Sequence, residues 1–141
     1  MALPTRYLII GAGPSGLIAA RAFLRYGIDV DIVERHTGLG GLWDIDNPGS
    51  PMYESCSMIS SRTAGGFVGF PMDDTLAMYP KWNELYDYIR EFAQEYHLEE
   101  RCEFGVSVEQ VTPVDTEEGR YWRVQLSNGE TRDYRGVYSA I

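Results

Sequence analysis

The sequence lacks the features that mark membrane-spanning, secreted and disulfide-rich proteins. No apolar run reaches about 18 residues, so we expect no membrane span. The first residues do not combine a basic stretch with a long apolar one, which argues against a cleaved secretion signal. The two cysteines, Cys56 and Cys102, are too far apart for a disulfide framework or a zinc motif. We therefore expect a cytoplasmic protein with two reduced cysteines.

Positive charge is also scarce. The chain carries 12 Lys and Arg against 21 Asp and Glu, for a formal net charge of −9. Nucleic-acid binding needs clustered cations, so we expect no nucleic-acid partner. A single bound nucleotide is not excluded, because backbone N–H groups can hold phosphate without a basic patch. The two histidines, His36 and His97, have no second ligand at metal-binding spacing, and we predict no metal site.

The apolar residues are sufficient to build one compact domain. They make up 44% of the 141 residues, which excludes disorder as the main state. A continuous apolar run, Arg6–Ile10, is bounded by glycine and predicts a buried parallel strand. Helical spacing of apolar residues follows from Pro14 to Tyr26 and ends at Gly27. The alternating segment Asp29–Glu34 predicts a second strand, so the chain begins with a right-handed βαβ unit.

The rest of the chain divides into an irregular segment, a helix and short strands. Residues 35–80 are rich in Gly, Pro, Ser and Asp, and two interpretations remain open: a flexible insertion, or a segment that wraps a ligand. Apolar residues at helical spacing predict a helix from about Lys81 to His97, with its stripe facing the core. The turn Asn128-Gly129 predicts a hairpin. Alternating or apolar runs predict strands at Cys102–Phe104, Val106–Val111, Trp122–Leu126, Thr131–Tyr134 and Val137–Ile141, the last of them buried.

A glycine-rich turn lies between the first strand and the first helix. Gly11, Gly13 and Gly16 have the spacing of a dinucleotide-binding fingerprint, which here has the required strand before it and helix after it. Gly11 allows the tight turn, Gly13 lets a pyrophosphate approach the backbone, and Gly16 lets the helix pack closely on the strand. Pro14 suits the first helical turn, where its missing N–H does no harm, and Ser15 adds a hydroxyl donor. The turn and the helix N-terminus therefore predict a diphosphate site.

An acidic residue, Glu34, closes the second strand. Its carboxylate can accept both ribose hydroxyls of an adenosine and would repel a 2′-phosphate, which favours FAD or NAD over NADP at this site. The alternative is a solvated strand end without a ligand. The fingerprint that precedes Glu34 favours the ribose role.

The fuller pattern resembles a known family. The run GAGPSGL, followed by DIVER and then Gly40-Gly41-Leu42-Trp43, is similar to the FAD-binding start of the flavin-containing monooxygenases and their Baeyer–Villiger relatives. The resemblance continues from Tyr53 to Phe70-Pro71, through the following helix and into the β-strands, so it covers in effect the whole chain. It implies an α/β fold: a Rossmann-like FAD-binding domain with a parallel sheet and an antiparallel β-meander.

The resemblance also implies roles by position. Glu34 would bind the adenosine ribose with Arg35 beside it. Ser60 would approach the flavin, and Val108 would touch adenine through its backbone. The residues implied for the FAD pyrophosphate are Gly11, Gly13, Pro14, Ser15 and Gly16. Those implied for the path of FAD are Gly41, Leu42 and Trp43, with plain core packing as the alternative for Trp43.

One position departs from the family pattern. Many members have an asparagine near the flavin that assists the oxygen chemistry. Lining up Tyr53 and Phe70-Pro71 without gaps places Ile59 at that position. Isoleucine cannot hydrogen-bond a flavin, which favours a different subgroup, or an FAD-dependent reductase or dehydrogenase. No side chain is a secure general acid or base, so we predict no catalytic residue.

We expect residues 1–141 to be an incomplete N-terminal FAD-binding domain, truncated at the C-terminus. The sequence has no second glycine fingerprint for NADPH, and Val137–Ile141 resembles the strand that leads into the family's NADPH domain. The expected function is the FAD-binding part of an NADPH-dependent monooxygenase that acts on a small organic substrate. The isolated chain would alternatively be a dinucleotide-binding module without catalysis. An open sheet edge near Ile141 predicts self-association.

Overall fold

The computed structural model describes residues 2–141. It contains, within that range, a parallel sheet and an antiparallel sheet. In chain order, the elements are β1 (Tyr7–Ile10), α1 (Pro14–Arg25), β2 (Val30–Glu34), α2 (Trp82–Glu95), β3 (Cys102–Phe104), β4 (Val108–Thr116), β5 (Gly119–Leu126), β6 (Thr131–Tyr134) and β7 (Gly136–Ser139). Short 3-10 turns lie at Gly41–Trp43 and Glu99–Arg101.

The parallel sheet has the strand order β3-β2-β1-β7. Strand β1 lies inside it, paired in parallel with β2 from Tyr7↔Val30 and with β7 from Tyr7↔Gly136. Its central residues Leu8 and Ile9 have no exposed surface. The predictions of a buried parallel strand and of the βαβ unit that it begins are therefore confirmed.

Both faces of the parallel sheet are covered. Ile9 packs in a cluster with residues of α1 and α2, including Leu17 and Ile89. Leu8 points to the opposite face, because side chains alternate along a strand, and it packs with Val124 of the antiparallel sheet. The fold is thus a helix layer, a parallel sheet and a β-meander. The apolar stripe of α2 faces the core, as its helical spacing predicts.

The antiparallel sheet is the meander β4-β5-β6. Its first strand is longer than the sequence predicts, because β4 continues beyond Val111 to Thr116 and includes Pro113. Proline is tolerated there since, among residues 2–141, β4 pairs with β5 alone, which leaves one edge of the strand without ladder partners. The predicted hairpin at Asn128-Gly129 joins β5 to β6, and Gly129 has the positive φ of 87° that such a turn requires.

Strand β7 differs from its prediction in burial. It begins one residue before the predicted Val137 and ends at Ser139, two residues before the predicted Ile141. Tyr138 is 41% exposed and Ser139 is also exposed. The reason is its place at the edge of the sheet, where it pairs with β1 alone among the described residues. The expectation of a buried strand is wrong, and the expectation of an open sheet edge is confirmed.

The segment between the 3-10 turn at Gly41–Trp43, called the 3-10 turn from here on, and α2 is irregular but is tied to the helix that follows. The backbone N–H of Met58 donates to the carbonyl of Pro80 at 2.8 Å, and the Trp82 N–H donates to the carbonyl of Cys56 at 3.1 Å. The Tyr88 hydroxyl accepts from the Phe67 N–H at 2.7 Å and donates to the Phe70 carbonyl. These contacts fix the segment against α2. No helix in residues 2–141 has the length and hydropathy needed to cross a membrane.

Candidate functional site

The glycine-rich turn brings the end of β1 and the start of α1 into direct backbone contact. Gly11 has φ +104°, a conformation that favours glycine. A Cβ atom added at Gly16 would lie 1.9 Å from the Gly11 carbonyl oxygen and 3.4 Å from Cγ2 of Ile9. Glycine is therefore required at position 16 for α1 to begin this close to β1. The close helix–strand packing that the fingerprint predicts is present.

The first turn of α1 is open to an anion. Gly13 is the N-cap residue, and no side chain hydrogen-bonds the free N–H groups of this helix end. Pro14 occupies the first turn, which contains no acidic residue, and Ser15 is exposed beside it. No side chain of the first turn therefore compensates the partial positive charge of the helix N-terminus. Such an end suits a phosphate group.

The loop after β2 returns to the glycine-rich turn. The Gly40 N–H donates to the Ala12 carbonyl at 2.9 Å. A Cβ atom at Gly41 would lie 2.9 Å from the Cα of Gly13, so the two glycines meet backbone to backbone. Leu42 is 56% exposed, whereas Trp43 is partly buried and packs against the core cluster. The structure thus gives Trp43 a packing role whether or not it also lines a ligand.

Glu34 lies at the end of β2, beside the glycine-rich turn, and is only 7% exposed. Its Oε2 accepts the Ala12 N–H at 2.7 Å, and its Oε1 accepts the His36 N–H at 2.9 Å. Each carboxylate oxygen has two lone pairs, so each keeps one acceptor position for a ribose hydroxyl. Glu34 is therefore not a solvated strand end. Arg35, which follows it, is exposed.

The other predicted residues belong to different elements. Ser60 is exposed in the irregular segment, and its neighbour Ile59 is 100% exposed. Val108 begins β4 and packs against the apolar cluster under the meander. Direct contacts therefore unite the glycine-rich turn, Glu34 and the 3-10 turn, whereas Ser60 and Val108 are positioned by other parts of the chain.

Sequence reasoning missed a buried polar group behind the loop. His36 Nε2 lies 3.1 Å from Asp44 Oδ2, and their side chains are only 14% and 9% exposed. The other Asp44 oxygen, Oδ1, accepts the Asp46 N–H at 3.0 Å. Tyr86 of α2 also interacts with Asp44; burial, and then the charge of Asp44, raise the pKa of its phenol. No spacing rule connects these residues, because two lie in an irregular loop and the third on the polar side of a helix.

A cleft of about 1030 Å³ lies between this loop and α2. It is lined by residues 36–39, Asp44 and Asp46 on one side and by polar residues of α2 on the other. None of the residues that the sequence predicts for the cofactor lines it. The cleft is thus separate from the glycine-rich turn and from the other predicted cofactor residues.

The two cysteines lie in different parts of the chain, Cys56 in the irregular segment and Cys102 in β3. Cys56 and Cys102 are both free thiols. Burial, followed by the charges of Glu99 and Glu34, raises the pKa of Cys102 to about 12, so this thiol stays protonated at neutral pH. Within residues 2–141 no three His, Cys, Asp or Glu side chains are grouped to hold a metal ion.

A parallel βαβ unit, a glycine-rich turn at an uncapped helix end and a buried acid closing the second strand define a dinucleotide-binding protein of the Rossmann type. The flavin-binding monooxygenase-like family matches residues 5–141, and the chain belongs to that family. The resemblance read from the sequence is therefore confirmed.

Curated relatives support this assignment, and solved structures share the fold. Flavin-containing monooxygenase FMO GS-OX3 of Arabidopsis thaliana is 36% identical to this chain. The match is 155 aligned positions long and covers 94% of this chain and 33% of the relative. The S-allyl-L-cysteine S-oxygenase of Allium sativum superposes with a TM-score of 0.78 at 25% identity, over 99% of this chain and 37% of that one. OTEMO in complex with FAD and NADP shares the fold, with a TM-score of 0.83 at 22% identity, over 99% and 26% of the two chains. The chain spans about a third of the length of the curated relatives that it matches.

Proposed function

We propose that residues 1–141 form an FAD-binding domain, and that the whole protein is an NADPH-dependent monooxygenase that transfers one oxygen atom of O₂ to a small organic substrate. The observation that carries the proposal is the uncapped N-terminus of α1 beside the buried Glu34 carboxylate. One feature suits a diphosphate and the other suits a ribose. Membership of the flavin-binding monooxygenase-like family favours FAD as the dinucleotide.

The glycine-rich turn would hold the pyrophosphate. The N–H groups at the start of α1 point out of the helix end, and the Ser15 hydroxyl is exposed next to them. Gly13 carries no side chain, so the phosphates can approach the backbone. Gly11, Pro14 and Gly16 act through the backbone shape that they allow, since each fixes how α1 leaves β1.

Glu34 would select the adenosine end. Its two oxygens are already oriented by the N–H groups of Ala12 and His36, and each has a free acceptor position. A negative carboxylate at this place would repel a 2′-phosphate, which favours FAD here and leaves NADPH to another site of the whole protein. Arg35 would flank the adenosine, and the backbone of Val108 would contact the adenine.

The rest of the cofactor would follow the 3-10 turn. Gly41 and the exposed Leu42 lie at the surface next to the glycine-rich turn, with Trp43 behind them in the core cluster. Ser60 would lie near the flavin end. Bound FAD supplies the redox chemistry between NADPH, O₂ and the substrate. We assign no acid–base role to a side chain of this chain, whose part is to bind and orient the cofactor.

Ile59 favours a second candidate function. Its side chain is 100% exposed and apolar, so it offers no hydrogen bond at the position where the family resemblance places an asparagine. An FAD-dependent reductase or dehydrogenase would not need that hydrogen bond. Product analysis of the whole protein with NADPH, O₂ and sulfide or ketone substrates separates the two: an oxygenated product supports the monooxygenase, and NADPH turnover without one supports the reductase. Binding of FAD without NADPH turnover would make the protein a dinucleotide-binding module.

The binding proposal is tested by titrating the chain with FAD and with NAD. The visible absorbance of flavin that survives gel filtration reports retention, and fluorescence quenching reports the affinity. We expect FAD to bind more tightly than NAD, and Glu34→Ala to lose most of the affinity. Glu109→Ala, which removes an exposed carboxylate on β4, is the matched control and should bind FAD as the parent does. Tighter binding of NAD, or an unchanged affinity for FAD in Glu34→Ala, would overturn the proposal.

A further inference from the structure

We propose that His36, Asp44 and Tyr86 form a buried clasp that positions the loop of residues 35–44 for FAD, without touching the cofactor. The proposal rests on the function proposed above, because it assigns positioning residues to that site. The three side chains are called the clasp below, and residues 35–44 are called the loop.

The clasp joins the two ends of the loop. His36 lies at the start, where its backbone N–H also donates to Oε1 of Glu34 at 2.9 Å. Asp44 lies at the end, where its backbone N–H donates to the Gly41 carbonyl at 3.3 Å and closes the 3-10 turn. The 3.1 Å contact between His36 Nε2 and Asp44 Oδ2 therefore connects the residue that orients Glu34 to the residue that ends the 3-10 turn.

The middle of the loop touches the glycine-rich turn through few contacts. One is the hydrogen bond from the Gly40 N–H to the Ala12 carbonyl, and another is the close approach of Gly41 to Gly13. Leu39 and Trp43 anchor the loop in the core cluster, and the contact between His36 and Asp44 ties its two ends together. The clasp therefore adds a restraint on how far the 3-10 turn at Gly41–Trp43 lies from Glu34.

Burial and charge make the clasp sensitive to the loss of one partner. With His36 removed, the Asp44 carboxylate would keep the Asp46 N–H and Tyr86 but would lose its buried ring N–H. Arg90, whose guanidinium lies 5.5 Å from the Tyr86 ring centre, is the cation in the cleft. The other carboxylates that line the same cleft are Asp46, Asp87, Glu91 and Glu99. Without His36, Asp44 would face these negative neighbours with one partner fewer, and we expect the loop end to move toward solvent.

Tyr86 supports the loop from α2. A Cβ atom at Gly40 would lie 2.5 Å from Cε2 of the Tyr86 ring, so the ring lies directly against the loop backbone. The cleft behind the loop contains His36, Asp44 and Tyr86 but none of the predicted cofactor residues. The clasp thus contacts the loop from a cleft that the predicted cofactor residues do not line, which makes its members positioning residues.

The first test compares the affinity of the chain for FAD with its affinity for ADP. We expect His36→Ala to weaken FAD binding by about tenfold, which is the change that ~1.4 kcal/mol produces. ADP should lose less than about threefold, since it lacks the part of FAD that would follow the 3-10 turn at Gly41–Trp43. His36→Gln should restore FAD binding, because its amide nitrogen can donate to Asp44 as Nε2 does.

The chain offers a matched control in its other histidine. His97 lies 3.2 Å from Glu100 in an exposed pair, and its φ of 53° is one that asparagine tolerates. His97→Asn therefore removes a histidine–carboxylate contact that is exposed and not buried. It should leave the affinities for FAD and for ADP unchanged. Equal losses for FAD and ADP, or failure of His36→Gln to restore binding, would overturn the proposal.

The second test does not need the cofactor. Amide hydrogen exchange on the FAD-free chain reports local opening at the Gly40 N–H, which donates to Ala12, and at the Ala12 N–H, which donates to Glu34. His36→Ala should lower protection at both by about tenfold and leave Val124 in the meander unchanged. Lower protection with unchanged FAD affinity would overturn the positioning role alone. No FAD binding by the parent chain would instead overturn the proposed function, whatever the exchange rates show.

Discussion

Replacement of Gly16 by alanine is the sharpest perturbation of the glycine-rich turn. The new Cβ would lie 1.9 Å from the Gly11 carbonyl oxygen and 3.0 Å from its carbonyl carbon. A van der Waals contact needs more than 3 Å, roughly the shortest that ordinary packing allows, so α1 and β1 would have to separate by about 1 Å. The Ala140 backbone is also close, because a Cβ atom added at Gly11 would lie 2.9 Å from the Ala140 carbonyl oxygen.

The size of the effect follows from two opposing contributions. Overpacking of this kind costs up to about 3 kcal/mol when the obstacle is backbone. Alanine gains back about 1 kcal/mol over glycine through its helix propensity. We therefore expect Gly16→Ala to lower the free energy of unfolding by about 2 kcal/mol, which for a chain of this size lowers Tm by roughly 6 °C.

Thermal and urea unfolding followed by far-ultraviolet circular dichroism measure this change. Ala22→Gly is the matched control, because Ala22 is exposed in the same helix and the substitution changes propensity alone, by about 1 kcal/mol. If Gly16→Ala were as stable as the parent while Ala22→Gly lost its expected 1 kcal/mol, the steric reasoning would be refuted. A variant that folds normally but loses FAD binding would show that the helix shift is accommodated at the cost of the site.

Further expectations concern thiols, charge and association. At pH 8 a thiol reagent such as dithionitrobenzoate should modify Cys56 rapidly, whereas Cys102, with its pKa raised to about 12, should react only on unfolding; two fast thiols would contradict this. The hydrogen bonds from Arg132 hold the pKa of Glu103 below its ordinary value, so the pair stabilises the fold above that value and the stabilisation is lost as pH falls through the lower folded pKa. Because Glu103 is partly exposed, Arg132→Leu should lower the free energy of unfolding in urea by less than about 1 kcal/mol at pH 7, and should leave it unchanged below the folded pKa of Glu103. A loss of unfolding free energy that does not depend on pH would argue against the pair. The open edge of β7 predicts concentration-dependent self-association that Tyr138→Lys should reduce, and small-angle scattering that shows a monodisperse monomer at all concentrations would exclude it.

The parts of the fold that the sequence predicts well are those set by local periodicity and by glycine. The fingerprint fixes the turn because Gly11 and Gly16 are needed for a backbone contact that lies within a few residues. The stripe of α2 is readable because burial on one side of a helix repeats every turn. The place of Glu34 beside the turn follows from the turn and the strand together, whereas its ribose role stays a prediction.

The parts that the sequence does not reveal depend on distant partners. Strand β4 passes through Pro113 because its neighbour lies on one side only, and no local pattern states which strand is an edge. The exposure of Tyr138 has the same origin. His36 and Asp44 meet because the loop folds back on itself, and a loop without periodicity gives no sequence pattern that predicts such a contact. The roles of Ser60 and Val108 stay predictions, because they concern a ligand and not the chain's own contacts.

The two backbone N–H groups that Glu34 accepts bear on any attempt to change the nucleotide preference of this site. A redesign toward a 2′-phosphate would begin by removing the carboxylate and adding a cation. That exchange would leave the buried Ala12 N–H, now 2.7 Å from Oε2, without an acceptor, at a cost of about 1–3 kcal/mol. The residue that we propose to select the nucleotide is also a structural brace between β2 and the glycine-rich turn. A change of cofactor therefore needs a compensating substitution that gives the Ala12 N–H a new acceptor. Single replacements at position 34 should lower the stability of the protein before they change its nucleotide preference.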